Sequence, residues 1–171
     1  CDIYKDWNHV LYAKELAVKY CEEYHKIPDA SRSSQAYMYL SPESPLYDPT
    51  RGMAVYERCI AEGDVYCKMN YAWQGQQSLD IARRTSKRQL FEYASVALDA
   101  NSVAGTNNLG VFYLEGFGTP RDANKALELF AKAARQNQDP ALYNLLHMTF
   151  VREADWKDAP KVADEAMLLI S

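Results

Sequence analysis

Leu109–Leu127 runs LGVFYLEGFGTPRDANKAL, and its glycines sit between two apolar periodicities. Downstream, Ala123, Ala126, Leu127, Phe130, Ala133 and Ala134 follow the i, i+3, i+4, i+7 spacing of one helix face. Much of that face is alanine, which lets a second helix approach closely. Upstream, Gly110 offers the matching close contact from within another helix. Gly116 suits the left-handed residue that ends that helix, and Gly118 and Pro120 shape the turn. Asp122 stands where a helix N-terminus wants a cap or a negative charge. Three of the seven glycines fall between Gly110 and Gly118, so the backbone demand here is local and specific. The stretch predicts helix, tight turn, helix.

The same outline recurs. ERCIAEGDVYCKMNYA (57–72), SVALDANSVAGTNNLG (95–110) and KAARQNQDPALYNLLH (132–147) each look like a helix end, a polar turn and a new helix. Cys59, Val96 and Ala133 are spaced by 37 residues, as are Asn70, Asn107 and Asn144. RDANKALELF (121–130) resembles KDAPKVADEA (157–166), and DPTRGMAVYERCIAEG (48–63) places Asp48 where Asp122 stands. A helix pair per unit of this length means an all-α fold, an α-solenoid of stacked antiparallel pairs. The repeated asparagine fits a structural role better than a catalytic one.

Helices are expected near 4–25, 50–62, 64–77, 85–100, 102–115, 121–136, 139–153 and 158–170. Residues 1–47 are read as an N-terminal helix plus a Pro/Ser-rich loop, and 48–171 as the repeats, within one domain overall. The loop 26–49 is long for a compact chain. It is either a functional insertion or holds a short helix at 35–40 that packs Tyr37 and Tyr39 onto the solenoid.

Composition excludes several functions. A formal net charge of -4 without a basic block makes nucleic acid an unexpected partner. No apolar run approaches the roughly 18 residues of a transmembrane helix. No P-loop, H-E-x-x-H, G-x-S-x-G or calcium-loop pattern occurs, so no catalytic residue, metal site or cofactor is expected. Cys1 in first place reads as the lipid-modified cysteine of a bacterial lipoprotein, the alternative being a chance chain end. Asp2 would bias such a protein toward the inner membrane in enteric bacteria.

Cys59 and Cys67 bracket seven residues around Glu62-Gly63-Asp64. A turn there brings two helix ends together, close enough for a disulfide. A metal site would need two or more further soft ligands, whereas Cys1 and Cys21 are remote and His9, His25 and His147 do not cluster. A redox pair would more typically be C-x-x-C.

Residues 102–137 resemble a Sel-1-like repeat, a relative of the tetratricopeptide repeat. The residues that carry the resemblance are Gly105, Leu109-Gly110, Tyr113, Gly116 and Gly118, Asp122, Lys125-Ala126 and Ala133-Ala134. The units at 64–101 and 139–170 lack Gly-x-Gly, and the first 47 residues match no known pattern. The resemblance implies a right-handed superhelix that binds proteins along the first helix of each pair, with no enzyme activity. On that face it points to Tyr66, Trp73, Asn107, Phe112, Tyr143, His147 and Arg152. The cysteine spacing is similar to that of cysteine-rich secreted members, in which each repeat carries one such bridge. That likeness implies a Cys59–Cys67 disulfide and an oxidising compartment such as the periplasm. Cys21 is then a buried helical thiol.

Some Sel-1-like lipoproteins are immunity proteins against effectors such as type VI secretion phospholipases. The resemblance therefore implies an immunity or inhibitor protein, or else a periplasmic scaffold or adaptor. Penicillin binding, known for some cysteine-rich relatives, lacks its serine–lysine pair here. The open end of a solenoid also offers a place for a second copy.

Overall fold

The computed structural model describes residues 32–42, 44, 46–136 and 140–144, with isolated positions 23 and 168. Among them every regular element is an α-helix: α1 Arg32–Leu40, α2 Pro49–Ala61, α3 Val65–Gln74, α4 Leu79–Arg84, α5 Lys87–Asp99, α6 Val103–Glu115 and α7 Ala123–Ala134. Residues 140–144 are also helical. The expected helices at 4–25 and 158–170 lie outside the described residues, apart from positions 23 and 168, both helical. The chain divides into two compact units, 1–83 and 84–171.

In the first unit α1 and α2 pack as an antiparallel pair. The connecting loop closes with the Asp48 amide donating to the Tyr39 carbonyl at 2.9 Å. Asp48 then caps α2, its carboxylate accepting from the Arg51 amide at 3.0 Å. Pro49 occupies the first helical position, where its missing N–H costs nothing. A three-residue turn leads into α3, capped by Asp64, whose side chain accepts from the Cys67 amide at 3.0 Å. Short connections make α3 parallel to α1, and the two helices touch. The core holds Tyr39, Met53, Tyr56, Cys59, Cys67 and Tyr71, all nearly or wholly buried. Tyr56 and Tyr71 meet edge to face at 5.3 Å.

The second unit follows the same plan around α6 and α7. Gly116 ends α6 in the left-handed conformation at φ 69°. The Asp122 amide donates to the Tyr113 carbonyl at 2.9 Å, and its carboxylate accepts from the Lys125 amide at 2.9 Å. A Cβ on Gly110 would lie 2.6 Å from the Phe130 ring, so glycine is what lets α6 and α7 close on a buried aromatic. Gly118 presses the turn against the first residue of α5, and Phe91 on α5 meets Tyr113 edge to face at 5.3 Å.

Two expectations need correction. The short helix considered at 35–40 is present but longer: α1 occupies 32–40, three residues more, and pairs with α2. Tyr39 packs, 2 % exposed, but Tyr37 does not, at 48 %. Residues two apart on a helix point in nearly opposite directions, so both cannot face α2. The helix expected at 64–77 stops at Gln74, and α4 follows after a turn, with Ile81 buried. Ser78 starts it, its carbonyl accepting from the Ala82 amide at 3.0 Å. Six residues are too few to show a helical period.

Candidate functional site

The first helices of the pairs are tied side by side by side-chain hydrogen bonds. In the first unit the Asn70 Nδ2 on α3 donates to the Ser33 Oγ on α1 at 2.8 Å. In the second the Asn144 Nδ2 donates to the Asn107 Oδ1 on α6 at 2.9 Å. Each bond spans 37 residues, so Asn70 and Asn144 make equivalent rungs, one within each unit. Asn107 is therefore corrected: it is 6 % exposed and holds the fold.

Phe112 is corrected in the same way. It has no exposed surface and packs on Phe117, ring centroids 5.1 Å apart. Tyr66, 58 % exposed in the first turn of α3, and Tyr143, 67 % exposed, do offer their rings to solvent. Trp73 is half-buried near the end of α3. His147 and Arg152 lie outside the described residues, as do Cys1 and Cys21.

Tyr66, Asn70, Trp73 and Gln77 follow one another at i, i+4, i+7 and i+11, the first three on one face of α3 and Gln77 in the turn that follows. Neither ring is buried, Asn70 and Gln77 are exposed, and none of the four is charged. Sequence reasoning missed Tyr37, which belongs beside this row. It lies one helical turn beyond Ser33, as Trp73 and Gln74 lie beyond Asn70. The 37-residue rung, once known to join α1 to α3, would have pointed to it.

Below this face the Tyr56 phenol donates to the Ser33 carbonyl at 3.4 Å. Burial pushes its pKa well above the usual tyrosine range, and the neighbouring Tyr37 and Tyr71 phenols add to the rise. Arg32, at the start of α1, pairs with Glu62 and Asp64 in the α2–α3 turn. The disulfide joins Cys59 to Cys67 across that turn, Cα atoms 6.2 Å apart. Among the described residues no three His, Cys, Asp or Glu side chains gather as a metal site would require. Nor is any described helix long and apolar enough to cross a membrane.

Among the described residues the arrangement offers exposed aromatic and amide side chains on α3. No curated protein matches the chain. Residues 103–138 match the family model of the Sel1 repeat. The matched stretch contains α6, the glycine turn and α7, with the caps and close helix contact described above. Residues 103–138 of the chain are thus similar to a Sel1 repeat, a kind of repeat found in modules that bind other proteins.

Proposed function

We propose that the protein is a protein-binding module of the bacterial envelope that acts as an inhibitor, an immunity protein covering the working surface of a toxic effector such as a type VI secretion phospholipase. The observation that carries the binding role is the uncharged row on α3 with Tyr37 beside it. Exposed Tyr and Trp rings present large, stiff, amphipathic area with little rotamer entropy to lose, and amides beside them adapt their hydrogen bonds. The disulfide fits an oxidising compartment. Inhibition by occlusion needs such a face and no catalytic group.

The test is capture by the immobilised, oxidised protein from a lysate of its own organism, followed by high-salt washing. One tightly held protein is expected on the wild type. Tyr37→Ser and Tyr66→Ser should each weaken it by about tenfold or more, the loss of one interface anchor. Equal retention by both variants would show that binding lies elsewhere. Producing the captured protein with and without this chain then decides its role. Rescue of growth supports immunity, and a harmless partner leaves a scaffold or adaptor.

A further inference from the structure

We propose that residues 79–88 dock the protein on an anionic lipid surface, with Leu79 entering the interface and Arg83, Arg84, Lys87 and Arg88 lying over the headgroups. This role is separate from the α3 row and does not depend on which protein that row binds.

From Ile81 to Phe91 the chain holds four cations and no acid, although its formal net charge is -4. All four cations are exposed. Five residues of chain span at most about 18 Å, so Arg83 to Arg88 meet a flat surface together. The flanking acids are Asp80 and Glu92. Glu92 accepts from Arg88 at 3.2 Å, but the arginine side chain stays 84 % exposed, and such a pair opens readily. Lys87 sits over the Phe117 ring, 5.3 Å from its centroid, and is exposed as well. Lys87 and Arg88 are also the first two residues of α5, whose first turn holds no acid. The helix macrodipole disfavours cations at that end. Charges kept against a local preference are expected at functional surfaces, and an anionic surface relieves the repulsion.

The apolar part of the segment singles out lipid among anionic partners. In α4 the buried side chain is Ile81. Leu79, Ala82 and Arg83 stand at i, i+3 and i+4 on one face, and all three are exposed, Leu79 at 72 %. A nucleic-acid backbone or an acidic loop gains nothing from a leucine one turn from an arginine. A lipid interface takes the leucine among its acyl chains, while the arginine stem lies along it and the guanidinium stays with the phosphates. Six residues are too few to span a bilayer, so α4 can only lie in the interface. The rest of the chain is net acidic and is repelled by the same surface, which gives the docking one orientation.

The test mixes the full chain with vesicles of phosphatidylcholine alone and of equal parts phosphatidylcholine and phosphatidylglycerol, and reads the bound fraction by flotation. Binding is expected to the mixed vesicles only, and should weaken as salt is raised. Each cation near such a surface strengthens partitioning about fivefold. Lys87→Gln/Arg88→Gln should therefore lower it about 25-fold, and the fourfold glutamine variant, with Arg83→Gln/Arg84→Gln added, about 600-fold. Leu79→Ser should lower it about tenfold. Every substituted side chain is exposed, so far-UV circular dichroism should match the parent. Failure of the parent to bind mixed vesicles, or retention by the fourfold variant, would overturn the proposal. Binding lost with the cations but untouched by Leu79→Ser would mark a general polyanion site and overturn the lipid assignment. Capture of a protein through Tyr37 and Tyr66 should be the same in these variants, so the two readings fail separately.

Discussion

Gly116→Ala and Gly118→Ala should differ sharply, although the two glycines share one turn and nearly the same backbone, φ 69° and φ 75°. An alanine in the left-handed region costs about 1–2 kcal/mol at either position. At Gly116 that is nearly the whole cost, because its Cβ would come no closer than 3.3 Å to the Arg121 amide nitrogen. At Gly118 the Cβ would lie 2.0 Å from the Lys87 carbonyl oxygen and 2.9 Å from the Phe91 Cβ. Backbone cannot rotate out of the way as a side-chain tip does. The turn must therefore lift from α5 by about 1 Å, loosening Lys87 over the Phe117 ring and Phe91 against Tyr113. Overpacking of this kind adds about 1–3 kcal/mol. Urea unfolding should thus give a loss of about 1–2 kcal/mol for Gly116→Ala and about 2–5 kcal/mol for Gly118→Ala, the second exceeding the first by about 1–3 kcal/mol. Two variants within about 0.5 kcal/mol of each other, inside the uncertainty of such measurements, would refute the argument that the turn is pressed onto α5.

Reduction of the Cys59–Cys67 bridge should lower the stability of the first unit by about 2–3 kcal/mol, the loop-closure entropy of so short a ring, read as a urea midpoint shift with and without reductant. Asn144→Ala should cost about 1 kcal/mol by deleting the rung to Asn107; an unchanged midpoint would show that the bond does not hold α6 to the helical stretch at 140–144. The Tyr56 phenol has a folded pKa raised above its unfolded value of about 10. Its contribution is therefore complete below pH ~10 and lost as pH rises beyond it, when only the unfolded chain ionises. Stability should fall there by about 1.4 kcal/mol per pH unit for this group, and Tyr56→Phe should flatten the slope by that amount.

What was legible in the sequence is what the backbone forces. Gly116 in the left-handed region, Asp122 and Asp48 at helix N-termini, and the bridged cysteines follow from demands few residues can meet. The helix α1 was harder to see. Its nine residues hold too few apolar positions for a clear period, and the prolines around it point to a loop. Its place is fixed by a partner helix that begins beyond residue 48, so tertiary packing rather than local propensity decides it. The helix α4 is shorter still and has one buried side chain, Ile81.

The proposed binding face was legible only in part, and the reason lies in how α6 is packed. Gly105, Thr106, Asn107, Leu109, Gly110 and Phe112 are all buried, so most of the circumference of this helix meets protein. Aromatic and amide side chains there have the composition of an interface but belong to the interior, which is why Phe112 and Asn107 misled. On α3 the same residue types stand outside. The distinction becomes visible only by setting the repeats in register. Positions that agree, such as Tyr39 with Tyr113 or Asp48 with Asp122, are those the helix pair needs in order to close. Many buried positions also differ, as Tyr56 does from Phe130, but exposed positions that differ are free to vary with a partner. Tyr37, 48 % exposed, stands where the matched repeat has Val111. A solenoid repeats its interior because every junction solves the same packing problem. The surface that a partner touches is under no such constraint, so its residues are found where the repeats part company and the side chain still reaches solvent.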